Sequence, residues 1–81
     1  MPTVLRVGSL IFYSNEGQEP PHIHIRKGAK TSDAIAKWWL SPPTKAYSRG
    51  FTVAESRTIE STVRTRRKEL LDAWRKHFEA Q

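Results

Sequence analysis

The run His22-Ile23-His24-Ile25-Arg26 places two imidazoles and a guanidinium at alternate positions. In an extended chain alternate side chains share a face and stand about 6–7 Å apart, so the two histidines and the arginine point one way and the isoleucines the other. The isoleucines are core residues. The opposite face is left for solvent or a ligand. Three chemistries suit it. Imidazole titrates nearest neutral pH, so His22 and His24 could move protons at a phosphodiester while Arg26 grips the phosphate with its planar fork. Two imidazoles could share a metal ion, with Glu16 or Glu19 as third ligand. Or the face binds phosphate without chemistry. The plain alternative is the wet side of an amphipathic strand. The first reading is kept, with His22 and His24 as acid/base candidates, Arg26 as phosphate binder, and no metal or other cofactor expected.

A second set lies toward the C-terminus. At helical spacing, Arg57, Arg64, Lys68 and Arg75 form one basic stripe beside an apolar arc. It runs about 27 Å at a rise of about 1.5 Å per residue. Such a stripe could follow a phosphate backbone or dock an acidic partner. Glu60 before Arg64, Lys68 before Asp72 and Arg75 before Glu79, each four residues apart, would absorb part of that charge as ordinary helix pairs. Arg67 falls inside the apolar arc, where a guanidinium is costly unless paired, so a structural partner is expected for it. His77, at the arc edge, reads as a cap or packing residue. Of Trp38 and Trp39, neighbours on one strand, one must face away from the core, as a stacking platform for a base or a partner anchor. Tyr13 is a candidate for the histidine side of the sheet.

These groups need a sheet and a helix to hold them. Thr3 to Val7 reads as a strand ended by Gly8, and Ser9 to Ser14 as a second, apolar on both faces and therefore central. Asn15-Glu16-Gly17 is turn chemistry. Pro20-Pro21 cannot donate to a ladder and marks the entry to a third strand at His22 to Lys27, closed by Gly28-Ala29-Lys30. Ala34 to Leu40 makes a fourth. Pro42-Pro43 stops it, and residues 44–48 read equally as a short edge strand or a helical turn. Thr52 followed by Glu55 is a capping box. From there to about Ala80 no glycine or proline intervenes, and Val53, Ile59, Val63, Leu70, Leu71, Trp74 and Phe78 share an arc of about 120°, the width of a helix laid on a sheet. One long helix is the simplest reading, with a break near Arg64 to Arg67 as the alternative. The expectation is an α+β fold: a small antiparallel sheet of three or four strands with one long C-terminal amphipathic helix across one face. It is a single domain over 1–81, with a β-meander at 1–40, a connection at 41–51 and the helix at 52–80.

Composition narrows the function classes. The chain has 81 residues, 37% of them apolar, which suffices for one small core. A TIM barrel or a complete dinucleotide-binding fold will not fit. A domain this small buries only about 60% of its unfolded surface, so a partner chain, including a second copy in a homodimer, would add stability. No cysteine is present, which removes disulfides, thiolate metal sites and cysteine nucleophiles. Met1-Pro2-Thr3 leads straight into a strand, and no apolar run approaches the roughly 20 residues of a membrane span. A cytoplasmic protein without membrane contact is expected. Fourteen Lys and Arg against eight Asp and Glu give a net charge of +6. Excess positive charge of this size favours nucleic acid or an acidic protein as partner.

Six segments together resemble one small bacterial family. They are Met1-Pro2-Thr3-Val4-Leu5-Arg6, Phe12-Tyr13-Ser14-Asn15-Glu16, Glu19-Pro20-Pro21-His22-Ile23-His24, Lys37-Trp38-Trp39-Leu40, Arg49-Gly50-Phe51 and Leu70-Leu71-Asp72-Ala73-Trp74. The family is the domain of unknown function 4160. Its most recognisable residues match Pro20, Pro21, His22 and His24 here. The resemblance covers essentially the whole chain. It implies one half of a two-gene bacterial toxin–antitoxin module, the toxin half, with a cognate small partner protein. The function expected is therefore a module component acting on RNA or a nucleic-acid-bound target, with a ribonuclease-like phosphodiesterase as the enzymatic form. The alternative is a non-enzymatic binding module, an antitoxin or regulator, that takes DNA, RNA or an acidic partner through its helix.

Overall fold

Alternation of apolar side chains builds the sheet. In a computed structural model of the chain, which describes residues 3–14, 19–28 and 32–79 and only the backbone of 77–79, five strands form one antiparallel meander in chain order. They are β1 (Thr3–Val7), β2 (Leu10–Tyr13), β3 (His22–Lys27), β4 (Ile35–Leu40) and β5 (Pro43–Arg49). Gly8, at φ 59, makes the tight reversal between β1 and β2 that other residues reach only with strain. On one face Leu5, Leu10, Phe12, Ile23, Ile25, Ala36, Trp38 and Leu40 pack against Ile59, Val63, Leu70 and Leu71 of the helical layer. Phe12, Ile23, Ile25, Leu40, Ile59 and Leu70 are fully buried. Each contributes about 1.5–3 kcal/mol of apolar burial.

Two expectations are corrected. The sheet has five strands, not three or four, because Pro43–Arg49 pairs along β4. Pro43 sits at the first position of an edge strand, where its missing N–H costs no ladder bond. No residue of β5 is buried, so the apolar alternation that marks the other strands is absent from it. β5 is held by its neighbour's hydrogen bonds rather than by its own apolar face. Gly50 then ends it at φ 82, where a Cβ would lie 2.8 Å from the Ala34 Cα, so only glycine lets the two segments approach this closely.

The second correction concerns the helix, which is two: α1 (Val53–Thr65) and α2 (Arg67–Glu79), parted at Arg66 with φ −112 and ψ 24. The start is as expected. Thr52 Oγ1 accepts from the Glu55 N–H at 3.1 Å, and the Glu55 carboxylate accepts from the Thr52 N–H at 2.8 Å. The break has a local cause. Thr58, Thr62 and Thr65 donate their hydroxyls to the carbonyls of Ala54, Thr58 and Ser61, the back-bonding that loosens and bends a helix. Val53, placed in the apolar arc by its angle, is 69% exposed. The side chains of His77 and Phe78 lie outside the described residues, as do Asn15-Glu16-Gly17 and Ala29-Lys30. No described helix is long and apolar enough to cross a membrane.

Candidate nucleic-acid interface

The face of the sheet turned away from the helices carries His22, His24 and Arg26, as alternation requires. The pairing register adds their neighbours. Tyr13 lies opposite His24, His24 opposite Lys37, Lys37 opposite Tyr47, and His22 opposite Trp39. Tyr13 is therefore on the histidine side, and Trp39 rather than Trp38 is the tryptophan that faces away from the core.

The two histidines are not on a wet surface. His22 is 0% exposed and His24 5% exposed. The His24 ring stacks on Tyr13 at 5.4 Å between centroids. His22 meets His24 edge-on at 5.1 Å and Trp39 edge-on at 5.7 Å. His22 Nδ1 lies 2.8 Å from the Pro20 carbonyl. A carbonyl only accepts, so Nδ1 carries the hydrogen and, in the neutral ring, Nε2 carries the lone pair. Nε2 is 3.9 Å from the Glu19 carboxylate. That carboxylate accepts from Lys37 Nζ at 2.6 Å, and the same ammonium sits 4.5 Å above the Trp39 ring. Pro20-Pro21 thus does more than start the strand, because it presents the carbonyl that fixes the His22 ring. Glu16, the other carboxylate considered for a metal, lies outside the described residues. No three His, Asp or Glu side chains gather to hold a metal ion among the described residues.

Arg26 is exposed, with its guanidinium 5.9 Å from the Tyr13 ring centroid. Burial and then the neighbouring Tyr47 raise the Tyr13 phenol above its ordinary pKa, and Arg26 opposes part of that rise. The register reveals what strand-by-strand reading missed. Arg6 lies opposite Ile11, Ile11 opposite Arg26, Arg26 opposite Ile35, and Ile35 opposite Arg49. Arginine and isoleucine alternate across all five strands on this one face. Ile11 is buried and the three arginines are exposed. No sequence signal marks Arg6 or Arg49, because their alignment exists only once the strands pair. Tyr13, Arg26, Asp33, Ile35, Arg49 and Gly50 surround an open concavity of about 720 Å³ at one end of this row.

The helix cations are divided. Arg57 and Arg64 stand on α1, and Lys68 and Arg75 on α2, all exposed, so the stripe is not carried by one continuous helix. Arg64 pairs with Glu60 at 3.1 Å as spacing predicts. The expected Lys68–Asp72 pair does not form; Arg66 pairs instead with Glu69 at 2.8 Å. The Glu79 side chain expected beside Arg75 lies outside the described residues. Arg67 does find its structural partners, donating to the Leu40 carbonyl at 2.6 Å and the Ser41 hydroxyl at 3.0 Å.

Comparison with known proteins adds one finding. The family described as domain of unknown function (DUF4160) matches residues 9–75, a span that takes in β2 to β5, α1 and most of α2. Neither the curated proteins nor the solved structures gave a match.

Proposed function

This chain belongs to the family of domains of unknown function DUF4160, and we propose that it is the toxin-side component of a bacterial toxin–antitoxin module that acts by binding RNA. The module role rests on the resemblance drawn from its motifs. The mode of action rests on one observation, an imbalance in how its charges are spent. The carboxylates of Glu19, Glu55, Glu60 and Glu69 are each taken up by a lysine or arginine of the fold. Arg26, Arg57, Lys68 and Arg75 are exposed, with no ion pair among the described residues. A +6 chain with these four carboxylates spent internally and these cations left in solvent is suited to meet a polyanion. The cognate partner protein of the module would be acidic on the surface that covers these cations, and location in the cytoplasm follows from an RNA target.

Phosphodiester hydrolysis by His22 and His24 is the second reading. What favours it is the Glu19 carboxylate 3.9 Å from His22 Nε2, placed to hold a proton that the nitrogen takes up. What weighs against it is burial, since a scissile phosphate must reach within hydrogen-bond distance of a ring that Trp39, His24 and Pro20 already surround. Fluorescence anisotropy with a labelled single-stranded RNA of ten nucleotides, over a salt series, tests both. Binding should weaken steeply with salt, by about 0.7 log units per log unit of salt for each phosphate contacted. The RNA should stay intact, and His22→Ala should bind as the wild type does. Absence of binding at low salt overturns the reading. Cleavage that is lost in His22→Ala or His24→Ala would put hydrolysis first.

A further inference from the structure

We propose that the row Arg6–Arg26–Arg49 across the helix-free face of the sheet is a phosphate track for single-stranded RNA, with Tyr47 as the platform on which a base stacks. This rests on the RNA-binding reading above and assigns it a surface other than the helices.

The geometry is set by pairing. Adjacent strands are about 4.8 Å apart, so arginines on alternate strands recur about every 10 Å along a line perpendicular to the strands. Ile11 and Ile35 fill the positions between them. Both are largely covered and bring no competing hydrogen-bond group. Three exposed guanidinium forks then stand in line without a carboxylate partner among the described residues. A flexible sugar–phosphate chain laid across the strands would meet a fork at successive or alternate phosphates, and guanidinium matches phosphate bidentately. A rigid duplex is a poorer fit, because a face five strands wide exceeds the groove, which admits a helix or a two-stranded ribbon.

Base recognition has a place beside the track. Tyr47 is two residues before Arg49 on β5, so it shares that face. It is 43% exposed, whereas the other aromatic side chains described are buried or half-buried. A space of about 280 Å³ lined by Ile35, Tyr47, Ser48 and Arg49 adjoins the larger concavity through Ile35 and Arg49. A phosphate on Arg49 therefore puts the base of the same nucleotide over the phenol ring. Stacking of this kind tolerates every base, so the track would be indifferent to sequence. On the other side of the arginine row, Asp33 is exposed on the rim of the concavity and makes no ion pair with either arginine. Its carboxylate can accept a hydrogen bond from a ribose 2′-hydroxyl, the group that distinguishes RNA from DNA.

The test uses the full chain with the ten-nucleotide RNA and its DNA counterpart, each protein first checked for native circular dichroism. Arg6→Ala/Arg26→Ala/Arg49→Ala should weaken RNA binding tenfold or more and reduce the salt slope by about 2, three phosphates at about 0.7 each. Tyr47→Ala should weaken binding several-fold with the salt slope unchanged. Lys45→Ala removes the same charge from β5 but on the opposite face, and should leave both nearly as in the wild type. DNA should bind more weakly than RNA, and Asp33→Ala, which removes the acceptor, should narrow that gap. Backbone amide shifts on titration should concentrate at 6, 26, 35, 47 and 49. RNA binding that survives in the triple variant, with shifts on the helices instead, overturns the track while leaving the RNA reading intact. Equal affinity for RNA and DNA overturns the ribose contact. No binding by the wild type overturns the RNA reading itself.

Discussion

Arg67 ties the helical layer to the sheet. Its side chain enters the apolar arc of the helices and ends on the Leu40 carbonyl at 2.6 Å and the Ser41 hydroxyl at 3.0 Å, where β4 stops and its last acceptor lacks a strand partner. A half-buried guanidinium is tolerated there because it satisfies that acceptor. Arg67→Leu should fold but lose about 1–3 kcal/mol, the cost of an acceptor left without a donor, read as a lower urea midpoint at unchanged m-value. His22 shows the same logic. Its place on the polar side of β3 is plain from alternation, but its ring is spent on the Pro20 carbonyl and on the faces of His24 and Trp39.

At the scale of elements, the start of α1 concentrates local stability. The Thr52–Glu55 box satisfies two backbone donors, and the Glu55 carboxylate also lies 3.0 Å from Lys27 Nζ on β3, so the cap links helix to sheet. Thr52→Ala should cost about 1 kcal/mol in chemical denaturation. The bond from the Thr52 N–H, then Lys27, lowers the Glu55 pKa below its ordinary value. A carboxylate whose folded pKa is depressed adds stability above its unfolded pKa and loses it as pH falls through the folded one. Stability should thus decline on acidification through and below the usual carboxylate range, and Glu55→Gln should flatten that limb. A Glu55→Gln protein with an unchanged acid limb would remove this residue from the account.

The whole molecule is one sheet with a helical layer on one side and a band of polar and aromatic side chains on the other. Its stability depends on few residues. Phe12 is fully buried at the centre of β2 among Ile25, Leu5 and the helices. Phe12→Ala should cost about 3–5 kcal/mol, a large share of the roughly 5–15 kcal/mol that holds a domain folded. Thermal unfolding should show a large fall in midpoint or no cooperative transition at all. Exposed cations stand on both layers, Arg26 on the open face and Arg57, Lys68 and Arg75 on the helices, and the salt dependence of the proposed RNA binding is the measurement that reads them out.

Strands β1 to β4, the helix start at Thr52, the side shared by His24 and Arg26, and the need of Arg67 for a partner were legible in the chain itself, because alternation at period two and cap chemistry are local properties. Four features were not settled there, although residues 44–48 as an edge strand and a break near Arg64 to Arg67 each stood as one of two readings. β5 carries no apolar alternation, since an edge strand is held by its neighbour's hydrogen bonds. The break at Arg66 comes from threonine back-bonding and the reach of Arg67 to β4, while no glycine or proline announces it. The arginine row depends on register between five strands, a long-range quantity that no single segment encodes. Burial of the histidines is likewise decided by which rings the pairing sets beside them: Tyr13 from β2 and Trp39 from β4.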